Sequence, residues 1–127
     1  YHATKHALEG WSDCLRLEVK EFGIDVVIIE PGIIQTEFAA VMMDPMLRRS
    51  GQGPYGAMAK GLALAFERSY TSTASPAGVV ADSVARAVRA KTPKTRYAVG
   101  ALARPLLFLR HWLGDRTYDW GVMKMLN

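Results

Sequence analysis

Tyr1 and Lys5 have the side-chain types and the spacing that acid/base chemistry needs. On a helix with about 100° per residue, two residues four apart project roughly 40° from each other and meet one turn apart. A phenol titrates near pH ~10, but a fixed cation beside it favours the phenolate and lowers its pKa. A shift of about 3 pH units takes roughly 4 kcal/mol of differential interaction, which requires a sheltered site. The spacing therefore predicts a tyrosine acid/base assisted by lysine, if the pair is sheltered.

Residues 1–22 have the pattern of one amphipathic helix, and Gly23 is expected to end it. The apolar residues on or beside the arc of Tyr1 and Lys5 are predicted to be buried: Leu8, Trp11, Leu15, Val19 and Phe22. The opposite arc is predicted to face water and holds His2, Glu9, Asp13, Arg16 and Lys20. The acid/base pair is thus expected at the border of a buried stripe.

A run of β-branched residues follows this helix, from Asp25 to Glu30. Such a run predicts a strand that is covered on both faces in a parallel sheet. Pro31 and Gly32 are expected to stop the strand. Because open α/β sheets bind ligands beyond the carboxyl ends of their strands, residues 31–36 lie where a cofactor is expected.

The order of these features resembles the catalytic part of the short-chain dehydrogenase/reductase family: Tyr-x-x-x-Lys opening a helix, a hydrophobic strand, then Pro-Gly-x-x-x-Thr. Either motif alone is unspecific, whereas both in this order are distinctive. The resemblance implies an α/β fold with a Rossmann-type doubly wound parallel sheet and a nicotinamide cofactor, NAD or NADP. It implies that Tyr1 moves the substrate proton, and that Lys5 supports Tyr1 and binds the nicotinamide ribose hydroxyls.

The resemblance also assigns cofactor contacts to the segment after the strand. Pro31 and Gly32 are expected near the nicotinamide ring, the backbone of Ile33 at the carboxamide, and the Thr36 hydroxyl at the carboxamide or the phosphates. Two plainer interpretations stay open, namely an ordinary Pro-Gly turn and Thr36 as the N-cap of the next helix. The family's glycine-rich phosphate loop, its Asn motif and its catalytic serine precede the tyrosine. Residues 1–127 are therefore expected to be the C-terminal catalytic and substrate-binding part of one domain, inactive without the cofactor-binding half.

A methionine-rich helix is predicted between Glu37 and Gly53. Its candidate substrate-contacting residues are Phe38, Met42, Met43 and Met46. Methionine is soft and adaptable, which suits a lid over an apolar substrate, although these side chains equally suit packing on the core. The family places its substrate-shaping insertion here, so the expected substrate is a lipophilic alcohol or carbonyl compound, steroid-, retinoid- or fatty-like.

The remaining sequence predicts two more helices and a strand. Apolar residues at helical spacing predict a helix over residues 55–70. Ser75 as N-cap and Pro76 as first helical residue predict the start of another helix, which Lys91 to Thr95 interrupts. Arg96–Val99 is the last strand candidate of the parallel sheet.

Charge is unevenly distributed along the chain. Residues 1–78 carry seven Lys/Arg and nine Asp/Glu, a net charge of −2, whereas residues 79–127 carry nine and three, a net charge of +6. The apolar residues within 101–113 lie in this basic half, which indicates a segment that rests on an anionic membrane surface. The segment is shorter than the ~20 residues that a spanning helix needs. Packing on its own domain or on a partner subunit is the favoured alternative.

Composition and the remaining polar residues narrow the function classes. With 50% apolar and 22% charged residues the chain is expected to fold. The single cysteine, Cys14, excludes an internal disulfide, suits the cytoplasm, and is expected to be a packed side chain. His2 and His6 lack further metal ligands, which disfavours a metal site. Basic residues alternate with acidic ones, which disfavours nucleic-acid binding. The family resemblance implies a homo-oligomer. The alternative from a different class is a non-catalytic helical module that binds a membrane or protein through its C-terminal segment.

Overall fold

The computed structural model describes the backbone of residues 1–126 and the side chains of these residues apart from positions 39, 40, 69, 125 and 126. The helices are α1 (His2–Glu18), α2 (Phe38–Ser50), α3 (Gly56–Thr73), α4 (Gly78–Arg89) and α5 (Ala103–Leu126). The strands are β1 (Ile28–Pro31), β2 (Ile34–Gln35), β3 (Ser75–Pro76) and β4 (Arg96–Val99). The architecture is α/β, rich in helix and with parallel strands, as expected for part of a Rossmann-type sheet.

The two longer strands, β1 and β4, pair in parallel. Their register runs from Ile28 opposite Arg96 to Pro31 opposite Val99. This confirms the strand predicted at Arg96–Val99. The predicted strand at Asp25 begins three residues later, at Ile28. Pro31 is its last residue, and its missing N–H costs no bond to β4 because Ile28 donates to Thr95 at 2.9 Å and Gly32 to Val99 at 2.8 Å.

The two short strands overturn one prediction. Ser75 and Pro76 do not begin a helix but form β3, which pairs in parallel with β2. The Ser75 N–H donates to the Ile33 carbonyl at 3.0 Å, so a backbone partner distant in sequence replaces the predicted capping role. Helix α4 begins at Gly78 instead, and no side-chain hydrogen bond caps it.

Helix α1 ends at Glu18, four residues before the predicted Phe22, and presents a different face to the sheet than predicted. A 3₁₀ turn at Lys20–Phe22 leads to Gly23, whose φ of 70° stops the chain in the left-handed conformation. The predicted buried stripe is largely exposed, at Leu8, Trp11 and Phe22. The arc predicted to face water is instead half-buried at Glu9, Asp13 and Arg16 and adjoins buried Ser12. The prediction that these three residues face water was therefore wrong.

An ion network explains why the polar face of α1 turns toward the strands. Arg96 of β4 donates from Nη2 to the Asp13 carboxylate at 2.8 Å, and its Nε lies 3.2 Å from the Glu30 carboxylate of β1. Arg16 donates to the other oxygen of Asp13 at 2.5 Å. Hydrogen bonds from Arg96 and then Arg16 lower the pKa of Asp13 to about 2. Burial, and next the charge of Glu9, raises the pKa of Glu30.

Helices α2 and α3 pack against each other, and α5 contacts both α3 and β4. Helix α5 is broken at Gly114, where φ is 70° and ψ is 171°. Across this break the Arg110 guanidinium lies 5.4 Å from the centroid of the Tyr118 ring. In residues 1–126, no helix combines the length and the apolar character required to cross a bilayer.

The apolar core of the described residues is thin. Its buried members are small: Ala59, Ala87 and Ala103. Large apolar side chains are exposed on α1, on α2 and on the first half of α5, among them Trp11, Val41 and Trp112. The described chain thus leaves much apolar surface exposed to solvent.

Candidate active site

Tyr1 and Lys5 lie side by side at the start of α1. Tyr1 occupies the N-cap position, and its carbonyl accepts hydrogen bonds from the Lys5 N–H at 3.1 Å and from the Thr4 hydroxyl at 2.7 Å. The Lys5 ammonium lies over the Tyr1 ring, 5.3 Å from its centroid, within cation–π range. The helix therefore brings the phenol and the cation together, as their spacing predicts.

Shelter for this pair is incomplete within the described chain. The Tyr1 side chain is 63% exposed, and Lys5 is exposed as well. The ring of Phe38, which begins α2, covers one side of Tyr1 with 5.4 Å between the ring centroids. Phe38 is thus the predicted substrate residue that contacts the predicted acid/base.

The Pro31–Ile33 segment is held by backbone contacts on two sides. The Gly32 N–H donates to Val99 at 2.8 Å, the Ile33 N–H to Ala101 at 2.9 Å, and the Ile33 carbonyl accepts from Ser75. A side chain at Gly32 would overlap the Ala101 carbonyl oxygen and lie 2.8 Å from the Ala103 nitrogen. Gly32 is therefore needed because the close backbone approach leaves no room for a side chain.

These bonds limit what Ile33 can offer a ligand. Its N–H is already donated to Ala101, whereas its carbonyl, which accepts one bond from Ser75, retains a second lone pair. Ile33 therefore has a backbone acceptor rather than a backbone donor for a cofactor carboxamide.

Thr36 is held by a residue that sequence analysis did not single out. The Tyr70 hydroxyl accepts a hydrogen bond from the Thr36 N–H and donates one to the Thr36 carbonyl. The Thr36 side chain is exposed, and its Oγ1 accepts a long hydrogen bond from the Phe38 N–H at 3.4 Å. Glu37 rather than Thr36 occupies the N-cap position of α2. Only the helical pattern of Phe66 and Tyr70 was visible in the sequence, and it gave no sign of this contact.

The predicted lid residues lie on α2. Met42, Met43 and Met46 are half-buried on the helix that packs against α3, and Phe38 is 40% exposed. Packing against α3 and contact with a substrate both remain compatible with this degree of burial. Their role as substrate contacts stays a prediction.

Two further expectations concern metal ligands and the single cysteine. Within residues 1–126, no three His, Cys, Asp or Glu side chains converge in a way that would hold a metal ion. Cys14, expected to be packed, is exposed instead, because it lies about 100° around α1 from Asp13, the residue that contacts Arg96.

Comparison with known proteins places these features in a family. The short chain dehydrogenase family profile matches residues 1–46, which include Tyr1, Lys5 and the Pro-Gly-x-x-x-Thr segment. The chain is 35% identical over 119 residues to "Uncharacterized oxidoreductase YbbO" of Escherichia coli (strain K12), covering 94% of this chain and 39% of that protein.

Two further relatives have more specific names. "NADPH-dependent 3-dehydrocapnine reductase" of Ornithobacterium rhinotracheale is 32% identical over 123 residues, covering 94% of this chain and 41% of that protein. "Retinol dehydrogenase 7" of Rattus norvegicus is 28% identical over 137 residues, covering 98% and 43%. The chain thus spans about 40% of the length of these curated relatives. With the paired tyrosine and lysine, the parallel strands and the Pro-Gly segment in place, the chain belongs to the short-chain dehydrogenase/reductase family.

Proposed function

We propose that this chain forms the catalytic part of an oxidoreductase that transfers a hydride between a nicotinamide cofactor and an alcohol or carbonyl substrate. The observation that carries the proposal is the Lys5 ammonium 5.3 Å from the Tyr1 ring centroid, beside Phe38 and in a chain of this family. A phenol beside a fixed cation is the arrangement that general acid/base catalysis at a substrate oxygen requires.

The nicotinamide supplies the hydride in reduction and accepts it in oxidation. In reduction, the Tyr1 hydroxyl donates its proton to the substrate oxygen as the adjacent carbon becomes tetrahedral. In oxidation, the Tyr1 phenolate takes the proton from the alcohol. The Lys5 cation stabilises the phenolate in both directions. Because Tyr1 is 63% exposed, cofactor and substrate must supply much of the cover that strengthens this electrostatic effect.

The cofactor would contact Lys5 and the segment from Pro31 to Thr36. Pro31 and Gly32 would face the nicotinamide ring, and Lys5 the ribose hydroxyls. The free lone pair of the Ile33 carbonyl suits an N–H donor of the carboxamide. The exposed Thr36 hydroxyl can donate to a carboxamide or phosphate oxygen. NADP is the first form to test because one relative is named NADPH-dependent.

The substrate is proposed to be lipophilic. Phe38 borders Tyr1, and Met42, Met43 and Met46 follow on the same helix with part of their surface exposed. Such side chains favour an apolar molecule through burial of its surface. The relative named retinol dehydrogenase 7 supports a steroid-, retinoid- or fatty-like compound as the class to test first.

Titration of the full-length protein with NADPH and NADH tests the proposal. Reduced-nicotinamide fluorescence should report saturable binding, and a panel of lipophilic and small polar carbonyl compounds should then give turnover with the lipophilic members. A matched Lys5→Met variant should bind and turn over poorly, because it lacks the cation. Absence of cofactor binding by the unsubstituted protein would reject the oxidoreductase, and preference for small polar carbonyls would reject the substrate class.

A second role concerns the exposed apolar side chains of residues 101–113. Phe108, Trp112 and Leu113 are 60%, 69% and 51% exposed, beside Arg104 and Arg110. This composition supports peripheral contact with an anionic membrane by a cytoplasmic enzyme. The same surface would serve a non-catalytic binding module, which the cofactor titration distinguishes from the enzyme. A homo-oligomer remains part of the proposal and can be tested by light scattering.

A further inference from the structure

Tyr70 contacts the proposed cofactor segment from a helix 34 residues further along the chain. Its hydroxyl accepts from the Thr36 N–H and donates to the Thr36 carbonyl, so one phenol satisfies both backbone groups of that residue. We infer that Tyr70 is a positioning residue that fixes the Thr36 hydroxyl for the nicotinamide cofactor, an inference that rests on the proposed function.

The contact leaves the reactive end of Thr36 available. Both Tyr70 bonds are made to the backbone, while the Thr36 side chain is exposed and uses Oγ1 only as an acceptor from the Phe38 N–H. The O–H proton of Thr36 can therefore be donated to a cofactor oxygen. Holding the backbone in advance lowers the ordering cost of that bond when the cofactor binds.

Tyr70 is itself held in place. Its ring stacks on Phe66, one turn earlier on α3, with 6.1 Å between ring centroids and 20° between ring planes. Tyr70 is half-buried, and α3 packs against α2. The hydroxyl thus projects from a supported ring on a helix rather than from a loop.

The position of Thr36 also bears on the acid/base residue. Thr36 is two residues before Phe38, and the Phe38 ring lies 5.4 Å from that of Tyr1. A fixed Thr36 backbone therefore fixes the start of α2 against Tyr1. Tyr70 touches neither substrate nor cofactor in this scheme and acts only through Thr36.

The test compares Tyr70→Phe with Tyr55→Phe in the full-length protein. Phenylalanine keeps the stacked ring and removes both hydrogen bonds, whereas Tyr55 is 70% exposed at the start of α3 and lies outside this contact. We expect Tyr70→Phe to weaken NADPH or NADH binding by about tenfold, because the Thr36 backbone must then be ordered when the cofactor binds, and Tyr55→Phe to leave binding unchanged. The KM for the cofactor should rise while kcat at saturating cofactor changes less.

A double-mutant cycle separates positioning from general support of the fold. In a Thr36→Ala background the hydroxyl to be positioned is absent, so Tyr70→Phe should have no further effect on cofactor affinity. Additive losses, unchanged affinity in Tyr70→Phe, or unfolding of that variant would each overturn the inference.

Amide hydrogen exchange provides a readout without activity. The Thr36 N–H should exchange slowly in the unsubstituted protein and faster in Tyr70→Phe, with the exchange of β1 and β4 unchanged. If the unsubstituted protein bound no cofactor, the proposed function and the cofactor role of Tyr70 would both fail. Exchange at Thr36 would still decide whether Tyr70 holds that backbone.

Discussion

At the scale of single residues, the proposed chemistry depends on what surrounds one phenol. Tyr1 has the Lys5 ammonium over its ring and Phe38 against one side, yet most of its surface is exposed in the described chain. Both neighbours are set by local structure, Lys5 by the first turn of α1 and Phe38 by the start of α2. The proposed acid/base pair is thus adjacent within the described chain itself, and in the proposed function cofactor and substrate would add to its shelter.

Tyr1→Phe in the full-length enzyme is the direct test at this scale. The substitution removes the proton-carrying hydroxyl but keeps the ring that contacts Phe38. Turnover should fall by roughly 10²–10⁴-fold, the usual contribution of a positioned general acid or base, while cofactor affinity and melting temperature change little. Steady-state kinetics and a thermal melt measure both effects. Retention of more than about a tenth of the activity would exclude Tyr1 as the proton carrier.

Residue spacing in the sequence was sufficient to place Tyr1 beside Lys5, because both lie on one turn of one helix. It was not sufficient to find Tyr70, whose contact with Thr36 joins residues 34 apart. The prediction that Ser75 begins a helix was wrong for a related reason. Its backbone pairs with β2, a strand distant in sequence, whereas only local preference was visible in the sequence. Local patterns predict local contacts, whereas pairing between distant segments is decided by the fold.

At the scale of elements, helix α1 is tied to the strands by charge. Arg96 bonds Asp13 of α1 and lies beside Glu30 of β1, while Arg16 holds the second Asp13 oxygen. Helical periodicity predicted that Asp13 and Arg16 face water, because it depends on the polarity of the side chains. It contains no information about a partner such as Arg96 on β4. Strand β1 and the stop at Gly23 were predicted because a β-branched run and a glycine are local signals, whereas β2 and β3 were not predicted.

The stability of the folded protein at acidic pH should depend on this ion network. The pKa of Asp13 in the folded state is about 2, below its unfolded value of about 3.9, so its contribution is full above pH ~4 and is lost as the pH falls toward 2. Glu30 acts in the opposite sense, since its raised pKa makes folding favour the protonated form as the pH falls.

Asp13→Asn should therefore lower the melting temperature at pH 5–7 and flatten its decline between pH ~4 and ~2. Asp25→Asn is the matched control, because Asp25 is exposed and outside the Arg96 network. Circular dichroism melts of the full-length variants across this range provide the measurement. Parallel pH profiles for Asp13→Asn and the unsubstituted protein would show that the ion network does not stabilise α1.

At the scale of the whole molecule, exposed apolar surface dominates. The buried apolar residues of the described chain are alanines, while large side chains on α1, α2 and α5 remain open to solvent. The fold class followed from the order of helix, strand and turn signals. What covers this surface could not follow from them, since the chain spans about 40% of the length of its curated relatives.

The open part of α5 leads to a prediction for the membrane proposal. Replacing Phe108 and Trp112 by serine should reduce flotation of the full-length protein with anionic vesicles, because two exposed aromatic anchors are lost. Trp120→Ser is the control, an equally exposed tryptophan beyond Gly114 and outside residues 101–113. Flotation that is unaffected by the double substitution, or equally reduced by Trp120→Ser, would reject residues 101–113 as the contact surface.

The break at Gly114 makes α5 a bent helix rather than a straight one. The Arg110 guanidinium, four residues before the bend, lies 5.4 Å from the ring centroid of Tyr118, four residues after it. Gly114 has backbone angles open almost solely to glycine, and the bend of α5 lies at this residue. Any other residue at position 114 would favour different backbone angles. The change would separate Arg110 from Tyr118 and alter the direction of the helix that follows.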